Sequence, residues 1–78
     1  MKYGYSLRIA NLNKKADESL LGVKLGRVCI RKDVTVIEVA TKLKVSRQTV
    51  YNWFIAGTYV HKDLVDDVKE YIALLQAR

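Results

Sequence analysis

Residues 35–57 read TVIEVATKLKVSRQTVYNWFIAG, and this stretch decides the fold. Thr35 and Glu38 have the spacing of a capping box, in which the first side chain accepts a hydrogen bond from the backbone three residues on. Ser46 is a good N-cap for a helix over about 46–54. Because only two residues separate the two helices, the sequence predicts that a tight turn joins them.

Apolar residues define the inner face of this two-helix unit. Val50 and Trp53 lie three residues apart and are predicted to point inward. Ala40 is small at the place where the second helix must approach the first, a pattern typical of two short helices locked at a steep angle. The other face of the second helix is then left free, and its polar side chains are Arg47, Gln48, Tyr51 and Asn52, with Ser46 and Thr49 nearby.

One further helix is predicted on each side of this unit. Asp17 is a suitable N-cap for a preceding helix, whose apolar residues Leu21, Leu25 and Val28 recur at helical spacing. The last helix is predicted over about 62–77, where apolar residues follow the amphipathic pattern Leu64, Val65, Val68, Tyr71, Ile72 and Leu75. Gly57 is expected to end the helix over about 46–54 or to begin the loop after it. The predicted fold is therefore all-α with four helices.

The segment 1–16, MKYGYSLRIANLNKKA, is treated as a basic N-terminal arm, and 17–78 as the helical domain. In segment 1–16 apolar side chains alternate with other residues, which is typical of a strand. These apolar residues are Tyr3, Tyr5, Leu7 and Ile9. A flexible arm, a segment lying on the body and a strand paired with a second copy all fit this pattern.

Composition restricts the classes of function. The chain has 78 residues, half of them apolar, and a formal charge of +6. Residues 1–61 carry a net charge of +7, and residues 62–78 carry −1. This charge suits a polyanion, either nucleic acid or an anionic membrane. The single cysteine, Cys29, allows no internal disulfide and favours a reducing cytoplasm, and no apolar run has the length of a membrane span.

The sequence resembles a helix-turn-helix DNA-binding domain of the phage repressor and Cro type. LGVKLGRVCIRKDVTVIEVATKL, residues 21–43, is similar to the first two helices of that family, and VSRQTVYNW, residues 45–53, is similar to its turn and recognition helix. Lys44 and Asp33 occupy positions where the family commonly has glycine. The resemblance implies a helix-turn-helix at about 36–54 in a phage or bacterial protein.

The polar face of the recognition helix has the chemistry of a major-groove reader. Arg47 can donate two hydrogen bonds to guanine, and Gln48 or Asn52 can pair with adenine. The predicted base-contacting residues are Arg47, Gln48, Tyr51 and Asn52. The predicted contacts to the DNA backbone are Ser46, Thr49, Lys42 and Lys44. The arm residues Arg8, Lys14 and Lys15 are either solubilising or contacts to the minor groove.

The predicted function is sequence-specific binding of double-stranded DNA by a small transcriptional regulator or repressor in a bacterial host cytoplasm. A homodimer is expected because two-fold symmetry doubles the contact, with RNA polymerase or another phage or host protein as a further candidate partner. The alternatives are a DNA-packaging or recombination accessory protein and a protein-interaction module using Tyr51, Trp53 and Phe54. The sequence shows no catalytic or metal-binding pattern, so neither an enzyme nor a cofactor is expected.

Overall fold

Five α-helices follow one another along residues 6–78, the part of the chain that this computed structural model describes. They are α1 (Leu7–Lys15), α2 (Leu21–Lys32), α3 (Val36–Leu43), α4 (Arg47–Phe54) and α5 (Val65–Gln76), and a 3-10 turn (Lys62–Leu64) precedes α5. Residues 6–78 contain no strand, which confirms the all-α prediction. The predicted number of four helices is wrong, because α1 is a fifth.

The α3–turn–α4 unit has the predicted caps. The backbone N–H of Glu38 donates to Thr35 Oγ1 at 3.1 Å, and the N–H of Thr49 donates to Ser46 Oγ at 3.1 Å. Lys44 closes the turn in the left-handed conformation, with φ 59° and ψ 44°. A side chain in this conformation costs about 1–2 kcal/mol, which explains why glycine is favoured at such positions.

Helix α2 lies at the centre of the fold and packs against α1, α4 and α5. Its residues Val23, Leu25 and Cys29 are fully buried. Val50 of α4 and Val68 of α5 are also fully buried, so the apolar faces predicted for these helices meet in one core. This core fixes the position of α4 relative to the rest of the chain.

The strand-like alternation predicted at the N-terminus is wrong for the described residues, because Leu7–Lys15 is helical. Ser6 caps this helix by accepting a hydrogen bond from the N–H of Ile9 at 3.2 Å. The buried side chain of α1 is Asn13, a polar residue, so the apolar pattern alone could not reveal the helix. Tyr3 and Tyr5 lie outside the described residues.

One other local prediction is corrected. Asp17 does not begin a helix, because its carboxylate accepts a hydrogen bond from the N–H of Ser19 at 2.9 Å in the turn before Leu21. This backbone hydrogen bond lowers the pKa of Asp17. Gly57 lies in the loop after α4, as predicted, and the left-handed residue of that loop is Ala56, with φ 64°.

Candidate nucleic-acid interface

Helix α4 turns its apolar side chains inward and its polar side chains outward. Val50 and Phe54 are 0% exposed and Trp53 is 2% exposed. Arg47 and Gln48 are exposed on the other side, and the same face carries half-buried members, Thr49, Tyr51 and Asn52. We call this set of five the α4 ridge. The inward orientation predicted for Val50 and Trp53 is confirmed, and the ridge projects as that orientation requires.

Two glycines of α2 allow α4 to lie close to it. A Cβ atom added at Gly22 would lie 2.7 Å from Trp53 Cβ, and one added at Gly26 would lie 2.8 Å from Phe54 Cγ. Only glycine leaves room for such a backbone approach. The sequence did contain a signal for it, because two glycines four residues apart lie on one face of a helix.

Hydrogen bonds hold several side chains of the ridge. Ser46 Oγ and Thr49 Oγ1 lie 2.9 Å apart and share a hydrogen bond. The Gln48 amide donates through Nε2 to Asn52 Oδ1 at 3.2 Å. The Gln48 side-chain oxygen, the second N–H of Gln48 Nε2 and the Asn52 amide N–H groups are the remaining acceptor and donors of this pair. The two residues predicted to read adenine therefore form one connected unit.

A groove of about 360 Å³ separates the α4 ridge from α1. Its α4 wall includes Gln48, Tyr51 and Asn52, and its α1 wall includes Arg8. Among the described residues, no hydrogen bond or ion pair holds the Arg8 guanidinium. Arg8 is thus fixed by a helix beside the ridge instead of belonging to an extended arm.

The other predicted basic contacts are distributed over different surfaces. Lys14 lines a second groove with Arg27 and Arg31 of α2, and Lys15 is exposed outside the groove that Arg8 lines. Lys44 is exposed in the turn directly before the ridge, at a position that suits a contact to the DNA backbone. Lys42 lines an apolar groove between α3 and α5. Of these predicted basic contacts, Arg8 lines the groove beside the ridge and Lys44 lies in the turn before it.

Two residues missed by the sequence analysis fasten α1 to the body. Asn13 is 2% exposed and donates through Nδ2 to the carbonyl oxygens of Phe54 at 2.6 Å and Val23 at 3.2 Å. Arg27 Nη2 donates to the carbonyl oxygens of Lys14 at 2.8 Å and Ala16 at 3.2 Å. No sequence signal could have found these contacts, because each joins elements that are separate along the chain.

The remaining titratable groups of interest have structural roles. Burial raises the pKa of the Cys29 thiol to about 12, and the side chain packs in the core. His61 Nδ1 accepts a hydrogen bond from the N–H of Asp63 at 3.1 Å and so caps the 3-10 turn. Within residues 6–78, no group of three metal-ligating side chains comes together.

Within residues 6–78, no helix has the length and apolar character needed to cross a membrane. Comparisons with models of protein families, with curated proteins and with solved structures gave no match to this chain. The resemblance to repressor and Cro-type domains therefore stays a prediction.

Proposed function

We propose that this chain binds double-stranded DNA in a sequence-specific manner, with α4 inserted into the major groove. The observation that carries the proposal is the α4 ridge. Its polar side chains stand on one face of a short helix whose opposite face is held by the buried Val50 and Trp53. A helix of this diameter fits the major groove, where side chains from its N-terminal part can reach base edges.

In this proposal the ridge residues have different tasks. Arg47 reads guanine, and the connected Gln48–Asn52 pair reads adenine, with Tyr51 as a further base contact. The hydroxyls of Ser46 and Thr49, together with Lys42 and Lys44, contact the DNA backbone. The formal charge of +6 supplies attraction that does not depend on sequence. Binding at a promoter would make the protein a small transcriptional regulator of the repressor and Cro type in a phage or bacterium.

The protein-interaction alternative has lost part of its surface. It required Tyr51, Trp53 and Phe54 to dock another protein, but Trp53 and Phe54 lie in the core and Tyr51 is half-buried. The packaging and recombination alternative uses the same ridge and differs only in where the DNA site lies. A homodimer and a contact with RNA polymerase remain proposals, and the number of chains per bound duplex, measured by sedimentation, tests the first of them.

The decisive experiment selects bound duplexes from a random pool and measures their affinity in a gel-shift salt series. Arg47→Ala is expected to weaken the selected site by about 5- to 150-fold, which is the loss of one bidentate contact, and to relax the preference at one position. Lys69→Ala is the matched control, because it removes the same charge from the exposed outer face of α5. If Arg47→Ala and the parent chain prefer the same bases at every position of the selected site, Arg47 does not read a base. Affinity that does not change with salt would favour a protein partner instead.

A further inference from the structure

Helix α1 and the α4 ridge form the two walls of one groove, and both walls carry polar or basic side chains. Arg8 stands in the first turn of α1, while Gln48 and Asn52 stand opposite on α4. A helix that lies beside the recognition helix is close to the DNA strand that flanks the contacted bases. A guanidinium that no other described residue holds suits a phosphate, which it can bind with two parallel hydrogen bonds.

The position of α1 depends on one buried amide. Asn13 Nδ2 donates to the Phe54 carbonyl, at the last residue of α4, and to the Val23 carbonyl in α2. The amide fits because residue 26 is glycine, since a Cβ atom there would lie 2.6 Å from Asn13 Nδ2. One side chain thus ties three helices together at the end of the recognition helix.

Arg27 strengthens the same attachment from outside the core. Its guanidinium donates to backbone carbonyls at the C-terminal end of α1 and forms an ion pair with Glu18. The C-terminal half of α1 is therefore held at several points. Arg8 lies at the opposite end of the helix, so a rotation of α1 about its attachment would displace Arg8.

We infer that Asn13 is a positioning residue that fixes α1 so that Arg8 binds a DNA phosphate beside the α4 ridge. This inference rests on the proposed DNA binding. It assigns α1 a defined place on the DNA and separates Arg8 from Lys14 and Lys15, which do not line the groove shared with α4.

The test is a double-mutant cycle measured on the selected duplex and on unrelated duplexes. Arg8→Ala is expected to weaken both by about tenfold, and to reduce the slope of log affinity against log salt by about 0.9, the value for one phosphate. Lys15→Ala, which removes the same charge from the other end of α1, is expected to change affinity by less than twofold. In the Asn13→Ala background, Arg8→Ala is expected to cost little more, while Arg47→Ala keeps its full effect.

Each outcome decides between defined readings. If Arg47→Ala weakens binding and Arg8→Ala does not, the proposed function stands and this inference fails. If Arg8→Ala has the same effect with and without Asn13, the positioning role is refuted. If the parent chain binds no duplex from the random pool, the proposed function itself fails. Should Asn13→Ala not fold, Arg27→Ala serves in the same cycle, since its side chain is partly exposed and holds the same end of α1.

Discussion

Replacing Gly22 by alanine should push α4 off the core. The added Cβ atom would lie 2.7 Å from Trp53 Cβ and 2.9 Å from the Trp53 carbonyl oxygen, where ordinary contacts begin near 3.4 Å. Helix α4 would thus have to move by up to about 0.7 Å, the difference between 3.4 and 2.7 Å. Two of the nearest atoms belong to the Trp53 backbone, so a side-chain rotation cannot relieve the clash.

The expected loss of stability follows from two opposing terms. Overpacking of this kind costs about 1–3 kcal/mol. Alanine is the better helix former, which returns up to about 1 kcal/mol. We expect a net loss of about 1–2 kcal/mol, which for a domain of this size lowers the melting temperature by about 5–15 °C. Thermal unfolding followed by the helix signal in circular dichroism measures this shift of the melting temperature.

Gly57→Ala is the matched control for this prediction. A Cβ atom at Gly57 would lie 3.4 Å from the Asn52 carbonyl oxygen, which is an ordinary contact, and Gly57 does not have a positive φ. Alanine fits there and restricts the unfolded chain, so stability should rise by about 0.4–1 kcal/mol. A Gly22→Ala protein as stable as the parent chain would show that α2 and α4 do not lie as close as the structure has them.

Two further predictions concern backbone strain and alkaline pH. Lys44→Gly should raise the free energy of unfolding in a urea titration by about 0.5–1 kcal/mol, because relief of the left-handed strain exceeds the entropy cost of glycine in the unfolded chain. Burial raises the pKa values of Cys29 and Tyr71 to about 12. Above pH 9 the unfolded chain loses protons that the folded chain keeps, so urea titrations should show stability falling from pH 9 towards pH 12. Tyr71→Phe should lessen this fall above pH 10 without loss of stability at pH 7, since the buried Tyr71 hydroxyl has no hydrogen-bond partner among the described residues.

The sequence predicted the α3–turn–α4 unit well because the signals for its helices and caps are local. Ser46 and Thr35 each cap the helix that begins with the next residue, and the spacing of Val50 and Trp53 sets the face that is buried. Each of these features acts within one turn or two, so it can be recognised without knowing the rest of the fold. The outward orientation of the α4 ridge follows from them directly.

The sequence could not predict where α1 lies. Its buried contact is an amide, Asn13, which bonds to carbonyls 10 and 41 residues away in the chain. Periodicity of apolar residues detects apolar faces, whereas a polar side chain that is satisfied by distant backbone groups leaves no such pattern. The strand-like alternation of Leu7 and Ile9 was therefore the stronger local signal, although the helix has the lower free energy in the folded chain.

Residue 44 brings stability and the proposed function into opposition. The left-handed conformation favours glycine, whereas a phosphate contact requires the positive charge of Lys44. Asp33 and Ala56 have the same left-handed conformation without a positive charge. This conformation therefore does not itself require a lysine at the turn before the ridge. If the DNA proposal holds, Lys44→Gly raises the stability and reduces the slope of log affinity against log salt by the amount expected for about one phosphate. If it fails, the gain in stability remains and no change in duplex binding accompanies it.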